Sequence, residues 1–373
     1  QHFMVARDGQ QGVVGRKIQR GVKTLSAVQH KIVTLTPNPT LDAISEIPKD
    51  AFPRKDDVLR VEFRYRIGGK GITCSRMLKT LGGTSEAVIL LGDDSISHCI
   101  EDYLRREEVE ARIFRTQGQG RICLILTEVD EQSAAVPGGR RATGDYRING
   151  SGLRVDAAVM DGLLAFLEEH LEGAAALALA GSLPEGSPVD FYARCIETAR
   201  RRVPLVMLDS SGQALLHGVK AHPHLVKING KEAAGLMNAP VPEGIWEALD
   251  LARAIARTHG VEKVVITLGS AGAVAVDGKA NFILRAPKVE AKGGLGAGDS
   301  FFAGLAYSLT KGDPFPQALR WGGACGAATA EQPAGMIGTR ERSLALLERV
   351  EVMGMTAETL GPAWREAAPS GEG

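Results

Sequence analysis

The stretch GGLGAGDSFFAG (293–304) places glycines and one aspartate directly ahead of an apolar, helix-like run. Glycine-rich turns that lead into helices aim backbone N–H groups at a common point and so bind anions. A Walker A loop is excluded because no Lys-Ser/Thr follows. A dinucleotide fingerprint is excluded because the loop lies near the C-terminal end with the wrong spacing. The remaining interpretation is an anion-binding nest before a helix that begins near Ser300, formed by Gly296, Ala297 and Gly298.

Asp299 closes this loop, and two roles for it stay open. Aspartate is among the most frequent helix N-cap residues, so capping alone accounts for its presence. The second role is that of a general base, which takes a proton from a substrate hydroxyl while the nest holds a transferring phosphoryl group. The two roles are compatible.

The elements that would position the loop are apolar strands alternating with helices. Such an alternation predicts an α/β fold with a mostly parallel sheet covered on both faces. The strand candidates are KIVTLTP, EAVILLGD, AALALAGSL, PLVMLDSSG, HLVKIN, KVVITLGS and GAVAVDG, and clear helix candidates are VDAAVMDGLLAFLEEHL and WEALDLARAIARTHG. Because ligands bind beyond the carboxyl ends of parallel strands, the glycine loop is expected to meet the loops TPNPTLD, GSLPEG, DSSG, KINGKE and TLGSAG.

Composition excludes several classes of protein. The 373 residues carry 44 Lys and Arg against 44 Asp and Glu, which argues against nucleic-acid and membrane-surface partners. No run of about 18 apolar residues is present, so no membrane span is predicted. Five scattered cysteines favour a reduced, cytoplasmic protein. His222 and His224 form an HxH in a loop-like context, where a metal role is disfavoured.

GAGDSFFAG (296–304) and GGKGITCSRMLKTLGG (68–83) together resemble the two signatures of the phosphofructokinase B family of sugar kinases, in the ribokinase superfamily. TPNPTLD, RICLIL, GSLPEG, DSSG, LVKINGKE and TLGSAGA match further family motifs in the family's order, over roughly residues 31–340. The chain is most similar to the phosphosugar branch, which comprises 1-phosphofructokinases, minor 6-phosphofructokinases and tagatose-6-phosphate kinases.

The resemblance implies a ribokinase-like, three-layer α/β/α domain over residues 31–355 with a small β lid. We expect lid strands within about 43–67 and 112–137, because VLRVEFRYRI (58–67) alternates apolar and polar residues and RICLIL begins a second such strand. A homodimer through the lid is one way to cover the lid's apolar face. Residues 1–30 are expected to be a flexible extension or tag remnant, and residues 356–373 a flexible tail.

The resemblance also assigns the sugar side of the site. It implies ATP-dependent phosphorylation of fructose 1-phosphate, fructose 6-phosphate or tagatose 6-phosphate, with Asp299 as the base and the nest as the anion hole. Arg121 is the best candidate for the substrate's phosphate, and Arg140 and Arg141 are weaker ones. A kinase of an unphosphorylated sugar or nucleoside and a non-catalytic sensor are the alternatives. The expected substrate-binding residues are Asp42, Gly68, Gly69, Lys70, Thr73, Arg121 and Ser182.

The nucleotide side follows from three further motifs. In the family, N-x-x-E organises Mg²⁺, largely through water, and here it is Asn229 and Glu232; a helix-capping pair is the alternative. Gly323 and Ala327 are small enough for an adenine slot, or simply for close helix packing. The expected nucleotide-binding residues are Lys227, Asn229, Thr267, Gly269, Gly272, Gly323 and Ala327.

Four residues depart from the family pattern. Thr73 stands where members usually carry Asn, which alters an expected sugar contact. Ile228 replaces a proline and changes loop rigidity. Gly294 and Leu295 precede the anion hole where Thr or Val is usual, which is expected to loosen the hole or shift nucleotide contacts. None of these changes removes the expected base, metal or anion-hole elements.

Overall fold

A ten-stranded sheet forms the centre of the fold, and four further strands form a separate, smaller sheet. The computed structural model describes residues 31–49, 51, 56–130, 141–278 and 280–355. In chain order the strands are β1 (Ile32–Thr36), β2 (Thr40–Pro48), β3 (Arg64–Gly68), β4 (Ser85–Leu91), β5 (Ala111–Arg115), β6 (Arg121–Asp130), β7 (Arg141–Asn149), β8 (Ala176–Ala180), β9 (Leu205–Asp209), β10 (Leu225–Asn229), β11 (Lys263–Thr267), β12 (Ala273–Asp277), β13 (Ala280–Arg285) and β14 (Glu351–Met355).

The helices lie on both faces of the large sheet. They are α1 (Lys70–Thr80), α2 (Ser95–Arg106), α3 (Ala157–Glu169), α4 (Phe191–Ala199), α5 (Gly212–Lys220), α6 (Gly230–Met237), α7 (Ile245–His259), α8 (Ala297–Thr310), α9 (Phe315–Ala330) and α10 (Arg340–Leu347), and Gly269–Ala271 forms a single 3-10 turn. One apolar core packs the five helices from α3 through α7 against one face of the sheet. A second core packs α1, α8, α9 and α10 against the other face. None of the helices in the described ranges is long and apolar enough to cross a membrane.

The large sheet is parallel over seven strands, in the spatial order β5-β4-β1-β8-β9-β10-β11. Strands β12, β13 and β14 continue it in antiparallel pairs. The central strand β8 (ALALA) is buried along its whole length, as a strand covered on both faces requires. The three-layer α/β/α fold predicted from the sequence is thereby confirmed, and every strand candidate in the parallel alternation forms a strand.

The smaller sheet, which we call the lid, has the order β3-β2-β6-β7. Its bounds differ from the expected ones. Residues 111–115 pair in parallel with β4 in the large sheet, and only residues 64–67 of the alternating segment 58–67 belong to a strand, β3. The expectations for residues 1–30, 131–137 and 356–373 lie outside the described residues.

His222 and His224 lie just before the N-terminal end of β10, and their ring nitrogens contact backbone atoms. The Nδ1 atom of His224 accepts a hydrogen bond from the Val206 N–H (2.9 Å), and the Nδ1 atom of His222 lies 2.8 Å from the His259 carbonyl oxygen. The described residues contain no group of three or more His, Cys, Asp or Glu side chains that could hold a metal ion. All five cysteines have free thiols.

Candidate active site

Helix α8 begins at Ala297, three residues before the predicted start near Ser300. Its N-cap is Gly296, whose φ of 85° lies in the left-handed region that favours glycine. Asp299 therefore lies inside the first turn, and the N-cap interpretation is wrong. The N–H groups of Gly298 and Asp299 belong to a first turn, so they have no acceptor within the helix. The Ala297 N–H closes a turn to the Gly294 carbonyl oxygen at 3.3 Å.

Asp299 has the electrostatics of a proton acceptor. Burial and the nearby Asp209 raise the pKa of its carboxyl to about 6, against the opposing effect of Lys70 and Lys227. A carboxylate with a pKa near the working pH can both take up and release a proton. Lys227 approaches from below the loop: a Cβ on Gly298 would lie only 3.0 Å from its Nζ, so a residue without a side chain is needed there.

The buried carboxylate of Asp209 forms ion pairs with both Lys70 and Lys227. Lys70 Nζ donates to its Oδ1 at 2.6 Å, and Lys227 Nζ donates to its Oδ2 at 2.8 Å. Burial alone would raise the pKa of Asp209, but the two ammonium groups hold that pKa below its ordinary value. Sequence reasoning placed DSSG at the binding edge and missed Asp209 itself. Its position as the last residue of a buried parallel strand was the available signal.

Lys70 reaches from the lid side of the site to the N-x-x-E motif. Besides Asp209, its ammonium group contacts Glu232 Oε1 at 3.3 Å. Burial alone would lower the pKa of Lys70, but Asp209 and Glu232 raise it. Lys70 was expected to bind the substrate; in this structure it contacts two carboxylates. The charge of Asp299 in the glycine loop also raises the pKa of Lys70.

Asn229 and Glu232 form a capping box at the start of α6. The Asn229 Oδ1 accepts from the Glu232 N–H at 2.9 Å, and the Glu232 Oε2 accepts from the Asn229 N–H at 2.8 Å. The capping alternative is thus correct for their local geometry. The capping box occupies only one carboxylate oxygen of Glu232, because the other, Oε1, accepts from Lys70 Nζ.

Asp42, on strand β2, reaches the same space from the lid. It is 6% exposed, and burial raises its pKa to about 7 against the opposing effects of Thr40, Arg121 and Arg147. A Cβ on Gly68 would lie 2.3 Å from Asp42 Oδ2, so the carboxylate rests directly on glycine backbone. Asp299 contributes to the pKa of Asp42, which places the two carboxyl groups in one electrostatic neighbourhood.

Arg121 begins the lid strand β6 next to Asp42. Its Nη2 donates to the Asn38 carbonyl oxygen at 3.3 Å, while its buried Nε has no hydrogen-bond partner among the described residues. Burial lowers the pKa of Arg121. Asn38, which sequence reasoning also missed, donates from Nδ2 to Ser182 Oγ at 3.2 Å. The two predicted sugar-site residues Arg121 and Ser182 are thus linked through Asn38.

The remaining lid-side predictions divide. Gly69 is the N-cap of α1, below the lid. Thr73 lies beside the glycine loop, because a Cβ on Gly296 would meet its Cγ2 at 3.3 Å. Arg140 and the Arg141 side chain lie outside the described part of the structure.

A cleft of about 510 Å³ adjoins the N-x-x-E motif. It has the size of a small-ligand site. Thr267 lines it, and Gly269 and Gly272 flank the 3-10 turn at its rim. Gly323 is packed elsewhere: a Cβ there would lie 3.1 Å from Val350 Cγ1, so close packing explains its small size. Ala327, also in α9, is 8% exposed and belongs to the same core.

Comparison with known proteins agrees with this arrangement. The profile of the pfkB family carbohydrate kinases matches residues 38–342. The 1-phosphofructokinase of Bacillus subtilis (strain 168) is 30% identical over 323 residues, which cover 86% of this chain and 99% of that protein. The 1-phosphofructokinase of Escherichia coli (strain K12) is 28% identical over 325 residues, covering 87% and 99%.

The fold has a close counterpart among solved structures. Phosphofructokinase-2 from Escherichia coli in complex with substrates and products superposes with a TM-score of 0.75 at 25% identity, covering 86% of this chain and 99% of that one. The profile match spans most of the chain and includes each loop of the candidate site. The chain therefore belongs to the pfkB family of carbohydrate kinases and is a phosphotransferase with an alcohol group as acceptor.

Proposed function

We propose that this enzyme transfers the γ-phosphoryl group of ATP to a hydroxyl of a ketohexose phosphate, giving the bisphosphate. The candidates are fructose 1-phosphate, fructose 6-phosphate and tagatose 6-phosphate, and the relatives' names favour the first. The observation that carries the proposal is the Asp299 carboxyl group, which has a pKa of about 6 and lies in the first turn of α8, where the N–H groups of Gly298 and Asp299 have no acceptor within the helix.

In the proposed reaction, Asp299 takes the proton of the acceptor hydroxyl as its oxygen attacks the γ-phosphorus of ATP, and ADP leaves. The predicted nest was Gly296, Ala297 and Gly298, but the Ala297 N–H is bonded to the Gly294 carbonyl oxygen. The backbone N–H groups proposed to stabilise the charge on the transferring group are therefore those of Gly298 and Asp299. Lys227, 4% exposed beneath the loop, adds a fixed positive charge. Since these donors are already in place, little reorganisation is needed during the transfer.

Asp42 is proposed to bind sugar hydroxyls. A carboxylate presents two acceptor oxygens, which suits a pair of neighbouring hydroxyl groups. The nearby Arg121 is proposed to bind the phosphate that the substrate already carries. Its buried Nε without a partner and its single long hydrogen bond to Asn38 leave donor capacity for an anion. A sugar without a phosphate would leave the Arg121 guanidinium without an anionic partner.

Arg121→Ala is expected to raise the KM for the sugar phosphate by about 10-fold or more, the scale of a lost charge-assisted hydrogen bond. The KM for ATP should change little, because Arg121 lies on the lid side of the site. Initial rates with each substrate varied in turn test this. Arg112→Ala serves as the matched control, since that arginine pairs with Glu86 and Glu110 away from the lid. An unchanged sugar KM would place the substrate phosphate elsewhere.

Mg²⁺ is proposed to act at the N-x-x-E side, where the donor set suits it. Asn229 and Glu232 offer oxygen atoms, and Mg²⁺ usually keeps several waters and binds through few carboxylates. Both groups also form the capping box, so contacts through water fit this geometry better than direct ligation. When bound, the ion would neutralise charge on the ATP phosphates. Thr267, Gly269 and Gly272 are proposed to border the rest of the nucleotide.

The lid is also proposed to form a homodimer. Large apolar side chains are exposed on the side of the lid that points away from Asp42. They are Phe63, Tyr65, Ile122, Tyr146 and Ile148. Ile148 is the most exposed of them at 56%, and its strand partner is Leu124 on the same face. An exposed apolar patch of this kind commonly marks a protein–protein contact.

Ile148→Glu is expected to shift the protein from dimer to monomer, since a charge in an apolar interface costs binding free energy. Sedimentation velocity over a range of concentrations measures the change. Leu344→Glu, at a similarly exposed leucine on α10, is the matched control. A wild-type protein that sediments as a monomer at all concentrations would refute the lid dimer.

Measurement of ADP release with each of the three hexose phosphates, with free fructose and with nucleosides tests the function directly. We expect the highest kcat/KM with a ketohexose phosphate. Preference for a neutral acceptor would replace the proposal by a sugar or nucleoside kinase, and binding without turnover would replace it by a non-catalytic sensor.

A further inference from the structure

Among the described residues, an apolar side chain of the glycine loop, Leu295, packs against the lid. Ile44, Cys123 and Ile125 form a small buried cluster on the lid, and Leu295 packs against it together with Ala334. Ile44 and Ile125 are register partners on β2 and β6. Asp42 and Cys123 are partners two residues earlier, so the alternation of strand side chains places the cluster on the same lid face as Asp42.

Leu295 stands directly before the N-cap of α8. The turn from Gly294 to Ala297 closes over it, with the Ala297 N–H bonded to the Gly294 carbonyl oxygen. The start of the loop is fixed to the end of α9, because the N–H groups of Lys292 and Gly293 both donate to the Ala330 carbonyl oxygen. Between that anchor and the helix, Leu295 is the side chain that joins the loop to the lid.

Gly294 does not share this role. A Cβ placed on it would meet no atom within 4 Å, whereas Leu295 is partly buried. Of the two departing residues that precede the N-cap of α8, Gly294 therefore borders open space, and Leu295 makes a contact. The contact between Leu295 and the lid is apolar, since it consists of aliphatic carbons and the Cys123 sulfur. It therefore does not depend on a fixed hydrogen-bond geometry.

We propose that Leu295 is a positioning residue that couples the lid to the anion hole. When the lid seats over the acceptor, Ile44, Cys123 and Ile125 hold Leu295, and Leu295 sets the turn that orients the Gly298 and Asp299 amides and the Asp299 carboxylate. The coupling deepens the proposed function and rests on it only for the identity of the acceptor. It makes transfer depend on a lid that is in place over the sugar.

The coupling predicts a separation of kinetic constants. Leu295→Ala is expected to lower kcat by about 10–100-fold, since misplacement of reacting groups by a fraction of an ångström has effects of that size. The KM for the sugar phosphate should change by much less, because no group that binds sugar is altered. Leu309→Ala is the matched control: it truncates a partly buried leucine at the other end of the same helix.

Hydrogen exchange of the unliganded protein tests the coupling without any substrate. Ile125→Ala, made in the lid, is expected to speed exchange of the Ala297 and Ser300 amides, which are hydrogen-bonded to Gly294 and Gly296. Ile125→Val should do so more weakly, which guards against a lid that fails to fold. Mass spectrometry of peptides that cover residues 293–302 gives the rates, and Leu309→Ala again serves as the control.

The proposal is overturned if the lid variants leave loop exchange at the level of the Leu309→Ala control, or if Leu295→Ala raises only KM. Failure of the proposed function looks different. In that case the wild-type enzyme transfers no phosphoryl group to any ketohexose phosphate, while the exchange experiment still decides whether lid and loop are coupled.

Discussion

Asp299→Asn is expected to lower kcat by about 10²–10⁴-fold, the usual contribution of a positioned general base, with the fold intact. The substitution keeps the size and shape of the side chain but removes its negative charge and its capacity to accept a proton. It spares the helix start, because Gly296 and not Asp299 caps α8. Initial-rate kinetics with saturating ATP and sugar phosphate measure the change.

Two variants separate catalysis from other effects. Asp190→Asn alters an exposed aspartate at the start of α4 that makes no side-chain cap bond, so it should leave kcat unchanged. Asp42→Asn tests the other carboxyl group of raised pKa in the site and is expected to act mainly on the KM for sugar. If Asp42→Asn lowers kcat as much as Asp299→Asn does, the assignment of the base to Asp299 has no support.

The pH dependence follows from the same carboxyl group. A base must be ionised, so kcat/KM should decline as the pH falls through about 6, the raised pKa of Asp299. Stability has the opposite sign. Because the folded pKa lies above the ordinary 3.8, the folded protein binds the proton more tightly, and ionisation at higher pH lowers stability. Asp299→Asn should therefore raise the free energy of unfolding at pH 8, as measured by urea titration.

The sequence predicted elements best where the pattern is local. A buried parallel strand such as ALALA is recognisable from its uniformly apolar composition. The segment RICLILTEVD likewise forms β6 over its whole length. The alternating segment 58–67 was predicted as a strand of ten residues, but only its residues 64–67 pair with β2. Alternation shows which face a residue would take, but not how far a partner strand extends. For the same reason the assignment of residues 111–115 to the lid was wrong.

The site shows the same limit. The capping alternative for Asn229 and Glu232 depends on residues three apart, and the structure confirms it. The cap at Asp299 was also a local prediction, and it was wrong because Gly296 adopts the left-handed conformation and starts the helix earlier. The ion bridges of Asp209 involve Lys70 and Lys227, which are 139 and 18 residues away in the chain. Such distant pairing has no local signature.

Asp209→Asn is expected to have the largest effect on stability, about 3–5 kcal/mol, which is typical when one partner of a buried ion pair is removed. Asp209 is fully buried and Lys227 is 4% exposed, so the substitution leaves a buried ammonium group without its counter-charge. Urea unfolding at pH 8 measures the loss. Asp277→Asn, at a partly exposed carboxylate paired with Lys263, is the matched control and should cost less than about 1 kcal/mol.

The pH dependence of stability gives this prediction a second test. The pKa of Asp209 is held below its ordinary value in the folded protein, so its contribution is complete above about pH 4 and is lost as the pH falls toward the lowered pKa. The Asn variant should lack that acid-dependent loss. An Asp209→Asn protein as stable as wild type at pH 8 would mean that the two lysines find other partners.

A double variant decides whether Asp209 serves the fold alone. Adding Lys227→Met to Asp209→Asn removes the uncompensated charge, so part of the lost stability should return. Activity should not return under the proposed function, in which Lys227, whose Nζ would lie 3.0 Å from a Cβ on Gly298, supplies charge at the anion hole. If the double variant regains both stability and kcat, Asp209 and Lys227 are only a structural pair. Recovery of stability alone shows that the carboxylate holds Lys227 where the phosphoryl group is transferred.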